Sequence, residues 1–289
     1  MQATTDSPVP VQNDEAGHAA RHKATVVCLS KLPPFHAAAI KLLNISSESG
    51  SAMRDFEMVF RGDPALTADL LLVANSVLFG NRAQVASIRH ALAHLGLDRV
   101  RSLASTIALS FFVRNQPRTA YVRQIWAHSI ATAVIAEALG EIYQVEDLYT
   151  AGLVHELGRL GLLLSMGATY ENWISAELES VEQANKLEES RFGMDHCDAG
   201  ALVGKKWGFP ETLRKCMVEH HHPKSGREGD PVSLVHLACR MADGMGYPEI
   251  HYCQAPEMPA MPEKVRGMRT LMPEQLHKMI AMQLEAIGS

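Results

Sequence analysis

The stretch EDLYTAGLVHELGRLGLLLS, Glu146 to Ser165, decides how the chain is read. Its apolar residues recur at helical rather than alternating spacing, with Leu148, Ala151 and Leu153 turned inward. Near its middle it delivers a titratable pair, His155 and Glu156, just before Gly158, where a helix ends or kinks.

Helices extend from this stretch in both directions. Upstream, a long helix from Thr119 to Leu139, with Gly140 at its stop, places His128 on an apolar stripe with Ile125, Thr132, Ile135 and Leu139. Before it, Asp63 and Pro64 open RGDPALTADLLLVANS, which Asn75 and Ser76 close. A further helix reaches Leu95, Gly96 caps it, and Asp98 starts another that runs to Phe111. Downstream, Glu171 to Glu189 reads as an exposed acidic helix. Asp195 then opens DHCDAGALVGKKWG, and Pro210 starts a helix ending in His220, His221 and His222. Pro231 begins a helix carrying Asp243. Residues 247–262, rich in Pro and Met, read as a surface excursion before a last helix from Pro273. Residues 1–22 lack periodicity and read as a disordered leader. The expected fold is all-α, divided into a leader (1–22), an N-terminal helical half (24–117), a second helical half (118–246) and a C-terminal loop and helix (247–289).

With 289 residues, 47% hydrophobic and 20% charged, the composition excludes a disordered or fibrous chain. A net charge of -5 supplies no global attraction to nucleic acid or anionic membrane. Arg89, His90, Arg99 and Arg101 gather around Gly96, but the acidic total favours a solvated helix edge over nucleic-acid binding. No unbroken apolar run approaches the roughly 20 residues that span a bilayer. The polar N-terminus contains no signal-peptide core, so a cytoplasmic, non-membrane protein is expected. Five widely spaced cysteines without a C-x-x-C suit reduced thiols.

Nucleotide fingerprints fail: GALVGKK at Gly200 to Lys206 lacks the spacing and the Ser or Thr of a phosphate loop. Gly200 and Gly204 are read as close helix packing instead. The informative set is His128, His155, Glu156, His196, His220, His221 and Asp243. Neutral imidazoles and carboxylates on successive helices are what a bundle uses to hold a divalent transition metal such as iron, manganese or zinc.

That order of residues resembles the HD superfamily of metal-dependent phosphohydrolases, and more narrowly the HD-related output domain, HDOD. KLPPFHAAAIKLL (Lys31 to Leu43), GDPALTADLLLVANSVLFG (Gly62 to Gly80) and IRHALAHLGLDRVRSL (Ile88 to Leu103) resemble that family's N-terminal half. WAHSIATA, AGLVHELGRLGLL, FGMDHCDAGALVGKKWGFPETL and EHHHP continue the likeness to Asp243. The resemblance implies a multi-helix orthogonal bundle, an N-terminal helical subdomain joined to an HD-like core.

In catalytic members a His, a His-Asp pair and a later Asp hold metal, which activates water against a phosphate ester. Here the pair is His155-Glu156, and the lysine that often follows is Arg159, a candidate phosphate contact. The extra methylene of Glu156 displaces its carboxylate by more than about 1 Å, enough to misplace a catalytic water. No residue is therefore assigned a catalytic role. The family implies a bacterial regulatory output module with signalling proteins as partners and a degenerate metal site. The alternative is a metal-dependent phosphohydrolase acting on a nucleotide or cyclic dinucleotide.

Overall fold

A computed structural model of the chain describes residues 15–75, 85–114, 119–225 and 227–287. Among them the chain is helical with no β-strand; Leu178 and Tyr252 make an isolated parallel bridge.

The first helices are α1 (Glu15–Ser30), α2 (Ala37–Leu43), α3 (Ala52–Arg61), α4 (Pro64–Ala74), α5 (Ile88–Leu95) and α6 (Leu97–Arg114). Helix α4 starts as its residues dictate: Asp63 Oδ1 accepts the Leu66 N–H at 2.9 Å, and Pro64 takes the first helical position. Asn75 is its C-cap, whereas Ser76 lies outside the described residues. Leu42, Phe56, Phe60, Leu66, Leu70 and Leu92 close a first apolar cluster. Full burial of each such side chain contributes about 1.5–3 kcal/mol.

The spine of the second half is α7 (Ala120–Tyr143), capped by the Thr119 hydroxyl. It runs a turn beyond the expected stop. Gly140 sits inside the helix, where a Cβ would stand 2.7 Å from the Val145 carbonyl oxygen, and Gln144 at φ 56° caps instead. Around α7 lie α8 (Leu148–Val154), α9 (Leu157–Met166), α10 (Ala168–Ile174), α11 (Val181–Phe192), α12 (His196–Trp207), α13 (Glu211–Glu219), α14 (Pro231–Gly244) and α15 (Pro273–Ile287). A second, larger apolar cluster reaches from Leu29 to Ile280 and takes in Ala108, Leu109 and Phe112 of α6, so α6 joins the two clusters. Among the described residues α7 is the one helix long and apolar enough by composition to cross a bilayer, which a search for unbroken apolar runs passes over. In the fold 78% of its apolar window is buried by other helices.

Four expectations are corrected. The leader expected over residues 1–22 is helix from Glu15 onward; residues 1–14 lie outside the described set. Helix α1 docks on α9, α11 and α12, and Thr25 donates its hydroxyl to the Phe192 carbonyl at 2.7 Å, a tertiary anchor that local periodicity does not register. The exposed helix expected over Glu171 to Glu189 is two helices, because Leu178 between them pairs with the backbone of His251 and Cys253. The excursion expected at 247–262 begins inside the protein, with Glu249 and Ile250 fully buried. Finally, the break expected at Gly158 falls at the His155-Glu156 pair, between α8 and α9.

Candidate functional site

Two glycines let the backbones approach closely enough to build the site. A Cβ on Gly152 would stand 2.9 Å from Ala133 Cα and the Thr132 carbonyl oxygen, so α8 lies directly on α7 and His155 meets His128. A Cβ on Gly158 would stand 1.9 Å from the His196 carbonyl oxygen and 2.3 Å from Gly200 N, so α9 and α12 cross backbone against backbone. The close packing expected at Gly200 and Gly204 is found there, against Gly158, Met217 and Arg214. Between the helices Glu156 adopts φ -89°, ψ 14°, in the sparsely allowed bridge region where functional residues often sit.

The structure brings the whole expected set into one buried cluster: His128, His155, Glu156, His196, His220, His221 and Asp243. His222, next in sequence, points to solvent. His128 donates Nδ1–H to the Tyr247 carbonyl at 2.7 Å, and His155 donates Nδ1–H to the Gly152 carbonyl at 2.6 Å. The two Nε2 atoms face each other at 3.2 Å, and the Thr132 hydroxyl lies 3.4 Å from that of His128. His220 Nε2 lies 3.0 Å from Glu156 Oε1, and His196 Nε2 lies 2.9 Å from His221 Nε2. Asp243 approaches His128 on its Nδ1 edge, at 3.5 Å. Its oxygens are otherwise taken by the Glu249 N–H at 3.0 Å, the Tyr252 hydroxyl at 2.8 Å and Arg240 at 2.9 Å.

Arg159 does not present itself to an outside phosphate. Its side chain is fully buried, and it donates from Nε to Glu156 at 2.6 Å, from Nη1 to Glu188 at 3.1 Å and from Nη2 to Glu249 at 3.1 Å. Nη2 also lies 3.2 Å from His196 Nε2. Glu188 in turn accepts from His196 Nδ1 at 2.7 Å and from the Tyr170 hydroxyl at 2.5 Å.

These contacts fix the charges. Burial pushes the His155 and His221 imidazoles well below their ordinary range and lowers His220 less, so this side of the cluster holds neutral rings. Burial and Arg159 press His196 the same way, but the Glu188 and Glu156 carboxylates outweigh them and hold it well above. Burial raises Glu156, yet Arg159, His196 and His220 carry its pKa well below the usual value. Burial, joined by Glu156 and Asp243, lifts Glu249 well above. The Arg159 side is thus balanced internally: guanidinium and imidazolium against the carboxylates of Glu156 and Glu188.

The donor chemistry fits a divalent transition metal. The buried imidazoles of His128 and His155 turn their Nε2 atoms toward each other, and their outer nitrogens are oriented by carbonyl oxygens, as those of metal-ligating histidines are. Three further participants, Glu188, Cys239 and Glu249, lie outside the set expected from the sequence. Glu188 carries a signal, because Val181, Ala184, Glu188 and Phe192 recur at helical spacing and bury one face of α11. Cys239 shares the buried face of α14. Glu249 follows no period and gives none.

Arg89, His90, Arg99 and Arg101 do not form a basic patch. Arg89 pairs with Glu57 and Arg99 with Glu137. Arg101 is buried, donating to Asp147 at 2.5 Å and to the Leu42 and Ile45 carbonyls.

An all-helical bundle that gathers imidazoles and carboxylates at a helix break is the architecture of HD-type proteins. The family model for the HDOD domain matches residues 32–223, well over half of the chain, and the protein belongs to that family. Solved structures share the fold. An HDOD domain protein of Geobacter sulfurreducens is 21% identical with a TM-score of 0.65, the match covering 96% of this chain and 91% of that one. A candidate phosphohydrolase of Shewanella amazonensis SB2B is 22% identical with a TM-score of 0.61, covering 93% and 97%. A candidate signal transduction protein of Marinobacter aquaeolei VT8 is 19% identical with a TM-score of 0.65, covering 94% and 67%. An uncharacterized protein of Treponema pallidum (strain Nichols) is 22% identical over 225 residues, 75% of this chain but 44% of that protein, so the match spans less than half of its relative.

Proposed function

We propose that the chain is a cytoplasmic regulatory output module of bacterial signalling that works through protein partners, with an HD-type centre that holds a metal structurally and does not turn over substrate. The observation that carries this reading is the buried Arg159 guanidinium, tied to Glu156, Glu188 and Glu249. A phosphate ester entering the site would have to break those pairs, and a catalytic metal needs an open coordination position. The cluster residues are 2% exposed or less, apart from His221 at 8%. The signalling name of the Marinobacter aquaeolei relative supports the same direction.

His128 and His155 are the residues proposed to hold the metal, with Glu156, His196, His220, His221 and Asp243 packed around them in the same buried cluster. A bound divalent ion would supply Lewis-acid charge and lower the pKa of water. The test is incubation of metal-loaded protein with nucleotides and cyclic dinucleotides. The expected result is no hydrolysis above the enzyme-free blank. Hydrolysis that disappears in His155→Ala overturns the reading.

One observation favours a second reading, a metal-dependent phosphohydrolase acting on a nucleotide. A cleft of about 570 Å³ lined by Glu182, His221, His236, Arg240 and Tyr252 opens beside the cluster. It offers a route by which a phosphate could reach His221.

A further inference from the structure

The geometry points to Cys239 as the third ligand of a metal position formed with His128 and His155, and so to a thiophilic cation, zinc ahead of manganese or iron. The carboxylates expected beside these two histidines face elsewhere. Glu156 is held by Arg159 and His220, and Asp243 is held by Tyr252, Arg240 and the Glu249 N–H, on the far edge of His128. On the inner edge His128 Nε2 meets the Thr132 hydroxyl at 3.4 Å and Cys239 Sγ at 3.7 Å, and of the two the thiol, which also lies 3.7 Å from Glu249 Oε1, is the one that ligates as an anion. The three donor atoms fall within 4.8 Å of one another, and all three side chains are buried.

The two separations that involve His128 match those of a tetrahedral site. Zinc–nitrogen bonds of about 2.05 Å and a zinc–sulfur bond of about 2.3 Å place ligand atoms about 3.3 Å (N to N) and about 3.6 Å (N to S) apart. The observed separations are 3.2 Å between the two Nε2 atoms and 3.7 Å from His128 Nε2 to sulfur. Both Nδ1 atoms are committed to backbone carbonyls, so the two Nε2 edges face each other and are placed to share a cation. Arg159 supplies a fixed cation to the other half of the cluster and none to this one. Binding breaks the Cys239 S–H bond, the sulfur lone pair takes the metal, and the proton leaves to the buffer. Thiolate with imidazole selects zinc over the harder ions. None of this depends on whether the protein hydrolyses an ester, so the inference goes beyond the proposed function.

The experiment is zinc K-edge X-ray absorption on the zinc-loaded full chain, paired with cobalt substitution. The expected first shell contains one sulfur at about 2.3 Å with nitrogens at about 2.0–2.1 Å. Cobalt is expected to produce a near-ultraviolet sulfur-to-metal charge-transfer band that is lost in Cys239→Ser and kept in Cys197→Ser. Cys197 is the control because its sulfur lies 3.7 Å from His196 Nε2. A shell of nitrogen and oxygen alone in the wild type overturns the inference whether or not the variants fold. A band that follows Cys197 also overturns it. Failure to bind either metal removes this inference and the structural-metal part of the proposed function together, while hydrolysis with the sulfur shell intact removes only the latter.

Discussion

Arg159 Nε stands 2.6 Å from Glu156 Oε2, with both side chains buried, so the carboxylate that distinguishes this chain from a His-Asp protein is engaged by a cation from its own next turn. Glu156 is thereby stretched between that guanidinium and His220, 3.0 Å from its other oxygen. Replacing one member of a buried charge network strands the others in low dielectric, at a cost of about 3–5 kcal/mol. Arg159→Ala leaves Glu156, Glu188 and Glu249 without their common partner. A loss of that size is expected in the denaturant midpoint of the purified variant.

Glu156→Asp tests the reach of that side chain. An aspartate is shorter by about 1.5 Å, one carbon–carbon bond, and cannot hold Arg159 and His220 together. His220 is then released toward the cluster. Plasma mass spectrometry of protein purified without chelator is expected to find more metal per chain in the variant than in the wild type. Equal content would mean that Glu156 does not limit occupancy.

The helix crossing at Gly158 admits no side chain. Gly158→Ala drives a Cβ into the His196 carbonyl and the backbone of Gly200, whereas Gly161→Ala meets only the methyl ends of Val203, Leu29 and Leu32 at 3.3–3.4 Å. Thermal unfolding is expected to show the first variant losing about 1–3 kcal/mol or more and the second much less. Similar losses for both would contradict the backbone contact.

Stability of the metal-free protein should fall on mild acidification. His155, His220 and His221 are depressed in the folded state, so their contribution is complete above the ordinary histidine value and is lost as pH drops below it. His196 is raised, and its contribution has the opposite sign, present at low pH and lost as pH rises. Glu249 is raised as well and acts in the same sense as His196, so the three depressed rings work against these two groups. Urea midpoints are expected to decline from about pH 7 to about pH 5, and His221→Asn is expected to flatten the decline. A pH profile identical in wild type and His221→Asn would contradict a neutral, buried His221 ring.

Much of the fold and of the cluster is legible in the amino-acid sequence. The Asp63 cap, the apolar stripe around His128 and the small-residue contact at Gly200 each follow from spacing alone, and each is found where the spacing puts it. The remainder depends on distant partners. Glu188 lies in an acidic helix whose buried face is partly masked by charged neighbours, so its place among Val181, Ala184 and Phe192 is easily overlooked. Glu249 is buried by residues from several helices, and nothing in its own neighbourhood announces it. The helix break two residues ahead of Gly158 reflects the packing of α8 and α9 on different partners rather than the glycine itself.

The docking of α1 on α11 and α12 also sets an order of events at the ribosome. Thr25 reaches Phe192 across 167 positions, and α1 also rests on α9, so its full seat exists only once the chain has grown past α12. At about 5–20 residues per second that wait is on the order of ten seconds or more. The first apolar cluster, built from residues 38–107, can close in the meantime. Helix α1 is therefore fully seated only after α9, α11 and α12 have all been made, a latch of long sequence span of the kind that slows folding.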